Sequence, residues 1–449
     1  MLAVLGAPLL RPVPASAASP RWDPRIKPIA DEVAKLRGLP FVHPVPAEFL
    51  DGAAFAKRLA ARSNTSASAK AAADRSASAL RAFGLIGGGV DLTTAVGSLQ
   101  SSNVLAYYDE RSKRITVRGT ELDVATKVTV AHELTHALQD QQFDLSSLNA
   151  EATRTHSTEA LRALVEGDAV RIQKLFAAQL SATDRATYDT ARRTEGGAAL
   201  GDVRKAGVPD ALTTLFEAPY SLGPSMLATV LAGHTTDAVD ALFRKPPTNE
   251  SSFLTPETLV DGSKFRSVPL PALHAGEHAK GGADNLGAFS LYLMLASRLD
   301  PGDALTVADG WGGDAERIVR KSGTTCYRVA LVGRTDPASG AIRDALTQWS
   351  ATMPAGATTV AHQGKTTILT ACDQGAATPD PPSATATFYG LALAANRDSF
   401  LAALLGQGVG VVPADCIANR TVRDPAFVPV LAASVAAFYG LYRRGGRAV

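Results

Sequence analysis

Residues 131–138 read Ala131-His132-Glu133-Leu134-Thr135-His136-Ala137-Leu138. The flanking sequence makes this stretch helical. Thr120 and Asp123 are both good helix caps, and Thr120 has an acid three residues later. Val124, Val128, Ala131 and Leu138 then recur at helical spacing and mark a buried stripe. On such a helix, histidines four positions apart lie about 40° apart around the axis and about one turn along it. Their ring nitrogens can converge on one metal ion, for which Zn2+ is the expectation. Glu133 is not a ligand in that geometry; it sits where it can take a proton from water on the metal.

A catalytic zinc site wants three protein ligands and one open position. The class with a third histidine six residues after the second is excluded, because Gln139 and Gln142 stand where its pattern needs Gly and His. The remaining option is a carboxylate from the following helix. That helix is expected from near Ser157, with Leu161, Val165, Ile172 and Phe176 as its stripe. Glu166, within Leu164-Val165-Glu166-Gly167-Asp168-Ala169, is the best candidate, with Glu159 and Asp168 as alternatives. Gly167 costs about 1 kcal/mol inside a helix. It makes sense if another helix or the metal site packs close there. Asp168 is then expected to accept a hydrogen bond from a histidine N–H behind the metal.

Two strands are expected just before the motif helix, Val104 to Tyr108 and Arg114 to Arg118, joined by a turn at 109–112. The second is expected to offer a sheet edge to an extended peptide. Residues 20–44 read as a linker and 46–83 as two helices before Gly87-Gly88-Gly89. The glycine-rich segment 196–209 reads as loop, with helices resuming around 222–244 and 285–298. Beyond 315 the pattern is mixed. Strands are expected at 327–332, 358–362 and 366–371, with a hairpin turn at Gln363-Gly364 and helices near 340–352 and 395–405. The domains expected are a helical N-terminal region over 20–100, a catalytic domain over 101–315 and a mixed α/β domain over 316–449. The fold class is α+β.

Three cysteines lie in the last third. If the strands that Cys326 opens and Cys372 closes pair antiparallel, these two meet and Cys416 is left free. Residues 1–18 carry a short apolar run and Ala15-Ser16-Ala17, which suits a signal peptide and export. The uncharged stretch from Pro425 to Tyr442 reads as a packed helix rather than a membrane anchor, so no stable membrane span is expected. A net charge of +2, with no long Lys/Arg block, argues against a nucleic-acid partner. There is no Gly-rich phosphate loop with a Lys and no Gly-x-Ser-x-Gly elbow.

The run from Tyr107 to Asp168 resembles exported, mainly actinobacterial proteins with a gluzincin signature. The landmarks are Ala106-Tyr107-Tyr108-Asp109, Ile115-Thr116-Val117-Arg118-Gly119, His132 through Gln142, and Ala163 through Ala169. Further likeness lies in Pro219-Tyr220-Ser221-Leu222-Gly223, Leu286 through Leu295, and Gly310-Trp311-Gly312-Gly313-Asp314. The resemblance implies a mainly helical zincin-like domain with a small edge sheet, acting on a peptide or protein substrate. It makes Tyr220 the first choice for the oxyanion-stabilising donor, with His156 and His234 as rivals. One departure stands out. Similar proteins often carry Leu-His-Pro after a Pro-Pro-Thr stretch, whereas here Pro246-Pro247-Thr248 leads to Leu254-Thr255-Pro256. The rival function is a zinc-binding but inactive envelope or interaction protein on the same fold. A second metal at His274 and His278 is disfavoured, since no glutamate follows the first and Gly276 lies between. Trp311 and Asp314 are expected to pack rather than to line a cleft.

Overall fold

The computed structural model describes residues 21–61, 67–101, 104–382, 386–427 and 429. The fold is α+β, mostly helical with two small sheets. The expected signal segment, and nearly all of 425–442, lie outside the described residues. No helix among the described residues is long and apolar enough to cross a membrane.

The motif helix runs Val124–Phe143 and starts as its sequence dictates, with the Asp123 side chain accepting from the Thr126 N–H. It is buried on nearly every side. Val130, Ala131, Leu134, Ala137 and Leu138 pack into one cluster with Ile26, Ile29, Ala30 and Val33, and with Ile115 and Val117 of the first sheet. The first four belong to a helix, Lys27–Arg37, and the residue preceding it. Segment 20–44 is therefore not a linker. Burying Ile26, Ile29 and Val33 contributes about 1.5–3 kcal/mol each, which makes this helix part of the folded unit. Its basic and proline-rich flanks hid a short apolar stripe.

The first sheet has the order Ala47–Leu50, Arg114–Arg118, Ala106–Asp109. The outer pair with the centre is parallel on one side and antiparallel on the other. Arg114–Arg118 is thus the central strand and cannot take a peptide as an edge; Ala106–Asp109 is the edge on the cleft side and Ala47–Leu50 the other. The expectation failed because Ala47–Leu50, read as helical, fills the far side. Helices Gly52–Ala60 and Ala67–Ala82 follow it as expected.

Thr158–Ala178 forms the next helix. Segment 196–209 is not a loop, since helix Ala182–Lys205 runs through most of it. Helix Asp210–Leu231 then crosses Thr158–Ala178 at a glycine pair. A Cβ built on Gly223 would lie 2.3 Å from the Ala163 carbonyl oxygen and 2.9 Å from the Gly167 Cα, and one on Gly167 would lie 2.5 Å from the Gly223 carbonyl carbon. This contact is the reason for glycine at 167. It sets Tyr220, one turn before Gly223, beside Glu166.

The second sheet is antiparallel, in the order His278–Asp284, Trp311–Lys321, Thr324–Gly333, Thr366–Cys372, Thr358–Gln363. Cys326 and Cys372 are register partners and form a disulfide, and Cys416 is free and exposed. Helix Asp336–Ala351 covers this sheet, with Ile342, Leu346 and Trp349 against Val329, Leu331 and Leu369. The expected boundary after 315 falls inside strand Trp311–Lys321. The largest core joins both sides of it, holding Leu161 and Leu222 together with Trp349 and Leu369. Helix Ala386–Gly406 returns to pack on Asp210–Leu231. Trp311 is buried, and its Nε1 donates to Asp314, which also accepts from the Leu286 and Gly287 N–H groups. Both residues pack, as expected.

The helix crossing makes a direct test. Gly223→Ala is expected to destabilise the fold by about 1–3 kcal/mol through overpacking, although alanine is the better helix former. Thermal denaturation measures it, and an unchanged or raised midpoint would mean that the helices do not touch.

Candidate metal centre

The histidine spacing does on the motif helix what helical geometry requires. His132 Nε2 and His136 Nε2 lie 3.0 Å apart, with the rings edge to face. Glu166 Oε2 lies 3.3 Å from each. Among the described residues this is the one group of three or more His, Cys, Asp or Glu side chains close enough to share a metal ion. Glu166 Oε2 is buried and has no hydrogen-bond partner. A buried carboxylate oxygen left that way is costly, and the chemistry of the donor set, two imidazoles and a carboxylate, suits a metal. Glu159, an alternative ligand, instead lies near Arg162 in the first turn of its helix.

The ring nitrogens facing away from this point are also held. His132 Nδ1 meets Gln173 Oε1 at 3.2 Å and His136 Nδ1 meets Gln139 Oε1 at 3.0 Å. An amide oxygen only accepts, so each Nδ1 carries a proton, and in the neutral ring each Nε2 is the nitrogen left with a lone pair. Asp168 does not touch a histidine. Two positions along the helix from Glu166 is about 200° around it, so Asp168 points to the opposite side. There it accepts from Arg37, Arg171 and Gln139. Burial opposes its ionisation, but the two guanidinium groups outweigh this and lower its pKa. Sequence reading missed Gln139, Gln173 and Arg37. Gln139 was noticed only as a residue standing where the third-histidine pattern needs glycine, Gln173 was passed over, and Arg37 was assigned to a linker.

Glu133 lines the same cleft as His132, His136 and Glu166. Its Oε2 accepts the Tyr108 backbone N–H at 2.7 Å. The edge strand therefore orients Glu133 and leaves its second oxygen facing the cleft. Tyr220 also reaches the centre, donating its hydroxyl to Glu166 Oε1 at 3.0 Å. Burial and the neighbouring Glu166 raise its pKa well above the usual phenol value, so it stays a donor. His156 pairs with Asp284 instead, and neither it nor His234 lines the cleft. His278 lies on an exposed edge strand and His274 beside Glu277, so these two form no second centre.

The cleft has a volume of about 980 Å³. Its lining includes the apolar Phe55, Leu59, Leu99, Leu105 and Phe216 and the polar Glu110, Thr129, Glu133 and Gln173. The edge-strand residues Ala106, Tyr107 and Tyr108 line it too. Leu105 bonds back to Arg118, and Tyr108 bonds to Glu133. With strand alternation, the backbone groups of Ala106 and Tyr108 face the cleft.

Charge around the ligands sets a pH dependence. In the metal-free protein burial disfavours the charged imidazole of His136, but Glu166 outweighs it and its pKa is raised from 6.5 to about 9. Glu166 is correspondingly lowered, burial again opposing and His136 prevailing. The charged His136 thus stabilises the metal-free fold fully below pH 6.5, and this contribution fades as pH rises through about 9. A metal needs the neutral ring. At about pH 7.5, metal binding is expected to release close to one proton per ion, and affinity is expected to strengthen toward pH 9. Titration calorimetry in buffers of differing ionisation enthalpy measures this; proton-neutral binding would contradict the His136–Glu166 pairing.

No family model matches this chain, and neither a curated protein nor a solved structure matches it.

Proposed function

We propose that this protein is an exported zinc peptidase of the gluzincin type, with His132, His136 and Glu166 as metal ligands and Glu133 as general base. The observation that carries the reading is the orphaned Glu166 oxygen 3.3 Å from two imidazole nitrogens that lie 3.0 Å apart. Ligands about 2.0–2.1 Å from a tetrahedral zinc stand about 3.3 Å from one another, so the spacing suits that ion. When bound, zinc supplies Lewis acidity, which makes water a usable nucleophile near neutral pH and polarises a carbonyl.

The chain's own residues supply the rest. The Tyr108 N–H holds Glu133, whose free oxygen accepts the proton of the attacking water and returns it to the leaving amine. Tyr220, kept protonated, turns its hydroxyl from Glu166 to donate to the oxygen on which negative charge develops. An extended peptide pairs with the outward Ala106 N–H and C=O and the Tyr108 C=O, the Tyr108 N–H being held by Glu133. The apolar lining of Phe55, Leu59, Leu99 and Phe216 receives an apolar side chain. Export is supported by the apolar run at residues 2–10 and by the Cys326–Cys372 disulfide, which belongs in an oxidising compartment.

The test combines metal content with cleavage of an unstructured substrate such as casein. Close to one zinc per chain is expected, lost in His136→Ala, with cleavage abolished in Glu133→Gln while zinc is retained. Zinc without cleavage would favour the inactive binding protein, and no zinc at all would remove both readings. Tyr220→Phe is expected to lower kcat by about 10²-fold with zinc content unchanged. If zinc affinity falls instead and kcat holds, Tyr220 serves only to orient Glu166.

A further inference from the structure

The N-terminal helix ends in a buried cation. Arg37 is 1% exposed. Its Nε donates to Asp168 Oδ2 at 2.7 Å and its Nη2 to Asp240 Oδ1 at 2.6 Å. Arg171 donates to the other Asp168 oxygen at 2.8 Å. The Asp168 carboxylate is thereby clamped from two sides, and Asp168 is fully buried.

Gln139 lies between this clamp and the metal ligands. Its Nε2 donates to Asp168 Oδ2 at 3.2 Å and to the Val165 carbonyl oxygen at 3.1 Å. Both are acceptors, so the amide cannot flip without placing its oxygen against them. Gln139 Oε1 is therefore directed to His136 Nδ1. Through one amide the clamp selects which His136 nitrogen faces the metal. The same amide also ties down the carbonyl next to Glu166. Groups that orient metal ligands in this way are commonly worth 10–100-fold in metal affinity.

We propose that Arg37 is a positioning residue for the metal centre, acting through Asp168 and Gln139 to hold His136 in its metal-binding tautomer and orientation. This rests on the zinc reading above. It makes helix Lys27–Arg37 a working part of the centre, acting through Asp168 rather than on a ligand directly.

The test is zinc affinity, read by chelator competition on the full-length protein, with circular dichroism to show that each variant is folded. Gln139→Leu and Arg37→Met are each expected to weaken zinc binding about tenfold, and the double variant no further than the worse single one. Asp240→Asn, which disturbs the far end of Arg37, is expected to lower the melting temperature while leaving zinc affinity near that of the parent. Should Arg37→Met not fold, Arg37→Lys serves, since one ammonium cannot span both carboxylates as the guanidinium fork does. It is expected to give a smaller loss of affinity. Unchanged affinity in a folded Arg37 variant, or additive losses in the double variant, would overturn the proposal. If the parent protein bound no zinc, the underlying reading would fail instead, and the two failures are thus distinguishable.

Discussion

Three lone-pair-bearing atoms, two imidazole nitrogens and a carboxylate oxygen, are held within 3.3 Å of one another in a mostly buried setting. Such an arrangement is unfavourable unless something shares the electron density. Without metal, a proton on His136 partly answers the need, which is why its pKa rises to about 9. Much of the surrounding structure serves to keep these atoms together.

Two kinds of force do that work. One is packing. The glycine pair at 167 and 223 lets two helix backbones meet, which brings the Tyr220 hydroxyl to Glu166. The other is a buried polar network. Gln173 and Gln139 turn the two imidazoles, and Arg37, Arg171 and Asp168 hold Gln139 in turn. A buried ion pair is weak evidence for stability, because desolvation offsets much of its attraction. Its value here lies in orientation, since a flipped amide or a turned ring would lose the site.

The cleft joins this centre to a sheet edge. The Tyr108 N–H orients Glu133 from the same strand whose backbone groups face the open space. One short strand thus both holds the Glu133 carboxylate and borders the open space. The second sheet, with its disulfide, packs into the same core as the helices that carry Glu166 and Tyr220.

Much of this was legible in the sequence. The motif helix, its Asp123 cap, the following helix with Glu166 and the hairpin of Thr358–Gln363 with Thr366–Cys372 all follow from local periodicity. Cys326 meeting Cys372 follows from it too, once the strands are paired. These are short-range properties, set by 3.6- and two-residue repeats and by capping chemistry. The sequence by itself therefore determined that His132, His136 and Glu133 share one helical face. Other features were decided only by tertiary structure. Strand Ala47–Leu50 hid in a segment that reads as helix and took the edge expected for Arg114–Arg118. The helix through 196–205 forms despite its glycines, and Arg37 sits in what reads as a linker. Asp168 turned away from the histidines because helix geometry rotates it from Glu166, and Gln139 took its place. Arg37 and Asp168 are 131 positions apart, and no local repeat encodes such a pairing; it exists only once the helices are packed and burial forces each charge to find a partner.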